Sequence, residues 1–134
     1  MYLKANVNTQ IFDTTECTIE HGKSTISLTI SDKYFHALGA IHGSVYFKLL
    51  DDAAFFAVNS LVEDVFVLTT SFNTNIIRPV SSGKITAIGE IRFTSKYLFI
   101  AESTLYNEKG KEIAFGTGHF AKSKIALTEE IGYK

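Results

Sequence analysis

The chain is short of several things, and each scarcity excludes a class of protein. Among its 134 residues there is one cysteine, Cys17, so no disulfide can close within the chain. That fits a reducing cytosol, and a lone cysteine reads first as a small apolar core residue rather than a nucleophile. There is one proline, Pro79, and no tryptophan. With no repeat, linker or low-complexity tract, the sequence reads as a single domain over 1–134, with a polar tail after about residue 122. Charge of either sign is not in excess: the net value is −1 and the pI about 6.4. A basic footprint for nucleic acid is therefore lacking. No apolar run approaches the roughly 18 residues of a membrane span, and "MYLKANVNTQ" has no apolar stretch of the secretory kind. The expectation is a cytoplasmic protein with neither a nucleic-acid nor a membrane partner. The four histidines are too scattered for a recognisable metal site. There is no Gly-rich phosphate loop and no serine on a nucleophile elbow, so neither metal nor cofactor is expected.

What is present is enough apolar residue, 46%, to build a core. "STISLTI" (24–30) alternates with period two and puts Ile26, Leu28 and Ile30 on one face of a half-buried strand. With the Thr-rich "FDTTECTIE" before it and "HGK" as the turn, it predicts a hairpin. A small-residue loop at 36–43 then leads into a long apolar helix. From about Val65 the texture turns β-branched and aromatic. "FVLTTSFNTNIIRP" ends at Pro79, which cannot donate to a sheet ladder. "KITAIGEIRFTSKY" places Ile85, Ala87, Gly89, Ile91 and Phe93 on one face. "LFIAESTLY" and "KEIAFGTGHFAKS" predict two more strands joined at "NEKG". One helix and about four following strands must bury each other. The fold class is therefore α+β, an antiparallel sheet wrapped around one central helix.

That helix carries adjacent acids, Asp51 and Asp52, in its apolar part. Lys48 and Asp52 are four residues apart and can pair on a solvent-facing stripe that continues to Asn59. Asp51 is turned about 100° away, among Phe47, Ala54 and Phe55. An acid in apolar surroundings is costly unless it is hydrogen-bonded or does chemistry, and the pattern leaves both open. Before the helix, "GAIHGS" puts Gly39 and Gly43 where the backbone needs room. Gly43 falls at the helix start, where N–H groups lack intrahelical partners. Such an end suits an anion or a developing oxyanion, although plain turn geometry accounts for many His-Gly-Ser triplets.

Taken together, "GAIHGSVYFKLLDDA" resembles the motif of hotdog-fold acyl-CoA thioesterases of the phenylacetate-pathway, or PaaI-like, kind. His42-Gly43-Ser44 stands at that family's His-Gly-Gly, Gly39 at its earlier glycine and Asp51 at its acid. "LTTSFNTNIIRPVSSGKITAIGEI" and "NEKGKEIAFGTGHF" are similar to its later strands, so the resemblance spans roughly 15–122. It implies a hotdog fold, a homodimer often paired into a tetramer, and hydrolysis of an acyl-CoA thioester. The Gly43 amide would polarise the thioester carbonyl, and Asp51 would activate water or attack directly. A hydroxyl on the next strand would assist, and counting back from Pro79 puts Thr69 there. His36 stands where the family has an asparagine; it can donate a similar hydrogen bond but titrates near neutral pH. His42 and Ser44 would shape the carbonyl site, His42 chiefly by fixing the loop. Arg78, with Lys84, Lys96 and Lys122, could meet the CoA phosphates, though each also reads as solvated surface charge. The competing class is a hotdog module that binds an acyl chain or acyl-CoA as a sensor without turnover. A hotdog dehydratase is disfavoured, because the proline-rich active-site segment common there is missing.

Overall fold

The computed structural model of the protein describes residues 12, 14–35, 39–62 and 65–126. Within them the chain forms β1 (Glu16–Glu20), β2 (Lys23–Thr29), a 3-10 turn (Asp32–Tyr34) and helix α1 (Gly43–Asn59). Four strands follow: β3 (Val65–Ile76), β4 (Lys84–Thr94), β5 (Leu98–Tyr106) and β6 (Glu112–Ala126). All six strands pair antiparallel in one sheet of order β1-β2-β4-β5-β6-β3. The sheet wraps α1, which touches every strand. This is the α+β architecture expected from the residue pattern. Among the described residues no helix is long and apolar enough to cross a membrane.

The wrapping depends on one row of paired residues. Ser24, Gly89, Ser103, Gly116 and Thr74 lie side by side across five strands, and all are small. A Cβ on Gly89 would lie 2.3 Å from the Ala53 carbonyl oxygen and 2.7 Å from the Ala54 nitrogen. The Ser24 hydroxyl donates to that same Ala53 carbonyl at 2.5 Å. The helix backbone therefore rests directly on the sheet at an Ala-Ala step. Larger side chains fill the space on either side of the row. One apolar cluster joins Ile26, Leu28, Ile85 and Leu105 to Val45, Leu49 and Leu50 of the helix. The other joins Val67, Phe99 and Phe120 to Val58. Each such side chain contributes roughly 1.5–3 kcal/mol by leaving water.

Both helix ends are tied down. His42 is the N-cap, in extended backbone geometry. At the other end the Ser60 N–H donates to the Phe56 carbonyl at 3.0 Å. The Ser60 hydroxyl donates to the Ala57 carbonyl at 2.7 Å and accepts the Gly22 N–H at 2.7 Å. The β1–β2 turn is thereby fixed to the helix terminus.

Two expectations are corrected. Ile85, Ala87 and Gly89 are buried as the alternation requires, but Phe93 is 49% exposed. Ile91 faces Ala101 while Phe93 faces Ile100, so Arg92 is an extra residue. Such a bulge moves every later side chain to the opposite face. The polar end of the chain also stays in the sheet longer than its composition suggests. β6 runs to Ala126, with Lys122 opposite Val67 and Ala126 opposite Val65. The ladder is made by backbone groups, and it lasts as long as β3 has groups to pair.

The row makes a sharp prediction for stability. Gly89→Ala should cost about 1–3 kcal/mol or more, because the obstacles are backbone atoms that cannot rotate away. In Gly43→Ala the new Cβ meets only Ile76 Cδ1 at 3.5 Å, so stability should shift by less than about 1 kcal/mol. Ser103→Ala keeps the row small and removes a buried hydroxyl that has no partner among the described residues, so it should be neutral or stabilising. Urea unfolding of the three variants checks this order; equal midpoints for the two alanines replacing glycine would refute it.

Candidate active site

Helix α1 has three working faces. Its alanines lie on the sheet. A second face carries Lys48 and Asp52. The third carries Phe47, Asp51 and Phe55 at four-residue spacing and looks toward β3, the edge strand.

On the third face the Thr69 hydroxyl donates to Asp51 Oδ1 at 2.9 Å. A bulge delivers Thr69 there. Thr69 pairs with Phe120 and Ser71 with His119, so Thr70 is the extra residue, and its hydroxyl donates to the His119 carbonyl at 3.0 Å. Phe47 packs edge-on against Phe72 at 5.7 Å, and Phe55 lies tilted against Phe120 at 6.4 Å. Asp51 thus sits between two phenyl rings on its own helix. Burial pushes its carboxyl up to about 6. The Thr69 hydrogen bond opposes this, the Asp52 charge adds to it, and Lys48 draws it down.

Asp52 differs from expectation in its surroundings. Its Oδ2 is 2.5 Å from Lys48 Nζ, as the spacing predicts, but the two side chains are only 18% and 17% exposed. The Lys48 amine lies 4.9 Å over the Phe12 ring. Burial, with a smaller push from Asp52, raises the nearby Cys17 thiol. Phe12, lying over this face, turns a solvent pair into a covered one.

At the helix start the His42 N–H donates to the Tyr34 carbonyl at 2.7 Å, and the Ile41 N–H to the Val80 carbonyl at 2.9 Å. His42 Nδ1 accepts the Ser44 N–H at 3.1 Å and lies 2.8 Å from the Ser44 hydroxyl. Accepting that N–H requires the ring proton to sit on Nε2. The Val45 N–H returns to the His42 carbonyl at 3.0 Å. Among the described residues the Gly43 N–H has no partner. Gly39 needs its glycine, with φ +82°, but Gly43 has no positive φ and its Cβ position is open to ordinary contact. Among the described residues nothing crowds the Cβ position of Gly43, so the expected need for backbone room there does not arise.

Gly43 borders a cavity of ≈ 360 Å³ shared with Ile41, Tyr46, Ile76, Ile77 and Arg78. The Tyr46 hydroxyl donates to the Arg78 carbonyl at 2.8 Å, and Arg78 Nε donates to the Glu112 carbonyl at 3.2 Å. Burial raises the Tyr46 hydroxyl, opposed by a backbone hydrogen bond from Val80.

Asp51 and Thr69 are therefore in contact. His42, Gly43 and Ser44 form one cap, and Arg78 shares the Gly43 cavity. Asp51 and Gly43 do not meet: both lie on α1, eight residues apart, which is about 12 Å along the axis. His36 lies outside the described residues. Tyr46 and Phe72 carried no chemical signal in the sequence, although Tyr46, three residues past Gly43, had to share its helix face.

The thioesterase superfamily model matches residues 38–114, over half of the chain, and the chain belongs to that superfamily. Its fold is the hotdog fold. The E. coli PaaI protein from the phenylacetic acid degradation operon superposes with a TM-score of 0.85 at 18% identity, over 96% of this chain and 91% of that one. A mutant of a Staphylococcus aureus thioesterase matches at 25% identity and TM-score 0.77, over 84% and 98% of the two chains. A mutant Pseudomonas aeruginosa thioesterase matches at 19% identity and TM-score 0.78, over 94% and 93%. No curated protein matches the sequence.

The raised Asp51 carboxyl has a consequence for stability. Its value of about 6 lies above the unperturbed 3.8, so ionised Asp51 costs stability. The penalty is full above about pH 6 and vanishes below the unfolded value. Asn keeps the acceptor for Thr69 without the charge. Asp51→Asn should therefore melt higher than the wild type near pH 8, with the gap closing as pH falls toward about 4. A gap that is missing at high pH, or that widens in acid, would contradict this environment for Asp51.

Proposed function

We propose that the protein hydrolyses an acyl-CoA thioester to the free acid and CoA, as a homodimer in which each of two sites takes Gly43 from one protomer and Asp51 from the other. The observation that carries this reading is Asp51 itself: a carboxylate between two phenyl rings, oriented by Thr69 and with basicity raised toward neutrality. Such an acid is ionised at pH 7 yet basic enough to take a proton from water. The thioester carbonyl oxygen would accept the unpartnered Gly43 N–H, and His42 and Ser44 would hold that amide in place. Water attacks the carbonyl carbon as Asp51 takes its proton. The tetrahedral oxyanion collapses, the C–S bond breaks, and the leaving thiolate takes the proton held by Asp51, which restores the carboxylate. A base of this kind supplies about 10²–10⁴-fold and an oxyanion donor about 10²–10³-fold. Arg78, on the wall of the Gly43 cavity, would meet the carrier as it leaves the carbonyl site. A reducing cytosol suits the free Cys17.

The dimer follows from reach. A base acts within about 3 Å of its proton or through one water, and a helix cannot bring two of its own residues together across about 12 Å. A second α1 running antiparallel beside the first would bring its Asp51 to the first Gly43, and a two-fold axis repeats the site. The surface favours such a partner. β3 is a 12-residue edge strand, and Phe47, Leu68, Ile76 and Ile77 are exposed on or beside it.

Release of free thiol from a panel of acyl-CoAs tests the activity; saturable binding without release would favour the sensor alternative instead. Asp51→Asn should lose about 10²–10⁴-fold in turnover while remaining folded, and Asp52→Asn should leave turnover nearly intact. The acid limb of the pH–rate profile should fall near 6, where Asp51 gains its proton. Equal losses in the two variants would remove Asp51 from its role. Sharing between protomers is tested by mixing Asp51→Asn chains with Gly43→Leu chains. Verified heterodimers should regain one working site from two inactive parents; no recovery would mean that the site is built within one chain.

A further inference from the structure

The first turn of α1 is anchored on both sides of Gly43. Before it, the Ile41 N–H donates to the Val80 carbonyl at 2.9 Å and the His42 N–H to the Tyr34 carbonyl at 2.7 Å. After it comes Tyr46, three residues on and so over the same face of the helix. Tyr46 is 2% exposed, and its hydroxyl donates to the Arg78 carbonyl at 2.8 Å. A backbone hydrogen bond from Val80 reaches the same phenolic oxygen.

The segment that receives Tyr46 is itself fixed to the sheet. β3 pairs with β6 as far as Ile76, opposite Ala114. Beyond that point the N–H groups of Ile77 and Arg78 both donate to the Ile113 carbonyl, at 2.9 and 3.2 Å. Arg78 Nε donates to the Glu112 carbonyl at 3.2 Å. Pro79 follows and has no N–H to give. The Arg78 carbonyl is thus held in place by β6, and Tyr46 joins it to the helix. The cavity at Gly43 lies between these two parts: Ile41, Gly43 and Tyr46 form one wall, and Ile76, Ile77 and Arg78 the other. A phenylalanine would fill the same core space; the hydroxyl adds a tie between the walls.

We propose that Tyr46 is a positioning residue for the Gly43 amide: its hydroxyl stops the first turn of α1 from rolling, so that the Gly43 N–H keeps its direction into the cavity. The proposal rests on the thioesterase reading and adds to it a group that acts through another residue. The anchors at Ile41 and His42 alone would leave the turn a hinge. A roll about the helix axis would swing the N–H away from a bound carbonyl. An oxyanion donor stabilises charge that develops on the way to the transition state, so its misdirection lowers kcat more than it weakens substrate binding. Asp51, about two turns further along and bonded to Thr69, keeps its own setting.

The test is Tyr46→Phe, assayed with whichever acyl-CoA the wild type turns over best. Its kcat should fall by about 10-fold, short of the roughly 10²-fold that a 1 Å misplacement can cost. Its KM should stay within about 2-fold, and the acid limb of the pH–rate profile should stay near 6. With 4-aminophenylalanine at position 46, whose amine can again donate to the Arg78 carbonyl, kcat should return to within about 3-fold of the wild type. An unchanged kcat, a loss confined to KM, a moved acid limb or no rescue would each overturn the assignment. Amide hydrogen exchange adds a readout that needs no turnover. In Tyr46→Phe the Ile41 and His42 N–H groups should exchange about 5-fold faster, with the β4–β5 ladder unchanged. Unchanged exchange at those two amides would overturn the proposal. Equal acceleration along the whole chain, or a variant that fails to fold, would reduce Tyr46 to a stabilising residue and overturn it too. Should the wild type turn over no thioester, the thioesterase reading fails on its own, and exchange at Ile41 and His42 still decides whether Tyr46 holds the helix start.

Discussion

The backbone of α1 touches the sheet at Ala53, and the rest of the molecule is arranged around that contact. A helix normally stands off a sheet by the depth of two layers of side chains. Here Gly89 contributes no side chain, and Ala53 and Ala54 contribute a methyl each. Ser24 spends its hydroxyl on the Ala53 carbonyl. The close approach lets the sheet curl until its edge strand, β3, comes level with the helix flank. Were the row filled with valines, α1 would be lifted away, and Thr69 would no longer reach Asp51 at 2.9 Å.

The same contact forces the character of the other helix faces. With the alanines against the sheet, Phe47, Asp51 and Phe55 turn toward β3 and β6, where Phe72 and Phe120 receive the two rings. Asp51 is thereby placed in apolar company by the phase of the helix. Its high proton affinity follows from that placement, since burial is the largest influence on it. Asp52, one residue on, lands on the opposite flank, where Lys48 neutralises it. Two adjacent acids acquire different chemistry because a helix turns about 100° per residue.

This is also why so much was legible in the sequence. Strand alternation, helix girth and the separation of the two acids are periodic properties, and a period can be read without coordinates. The resemblance carried by His42, Gly43 and Asp51 extended that reading to Thr69, whose hydroxyl donates to Asp51. What could not be read is what periods do not encode. The bulges at Arg92 and Thr70 break alternation locally: one expels Phe93, the other aims Thr69. The covering of Lys48 by Phe12 joins residues far apart in the chain. Tyr46 looked like one more core aromatic until its hydroxyl was found on the Arg78 carbonyl.

The Gly43 amide, without a partner among the described residues, and the cavity beside it belong to one problem. A glycine is usually kept for a positive φ or for close packing, and among the described residues Gly43 serves neither purpose. His42 caps the helix through Ser44 rather than through Gly43, so the cap itself leaves the first N–H outward-facing. Among the described residues no packing contact requires a glycine there, and alanine has the higher helix propensity. The proposed dimer supplies a reason for Gly43. In the proposed dimer, substrate carbonyl and partner helix both have to approach that N–H, and a methyl group there would stand between the amide and the incoming Asp51.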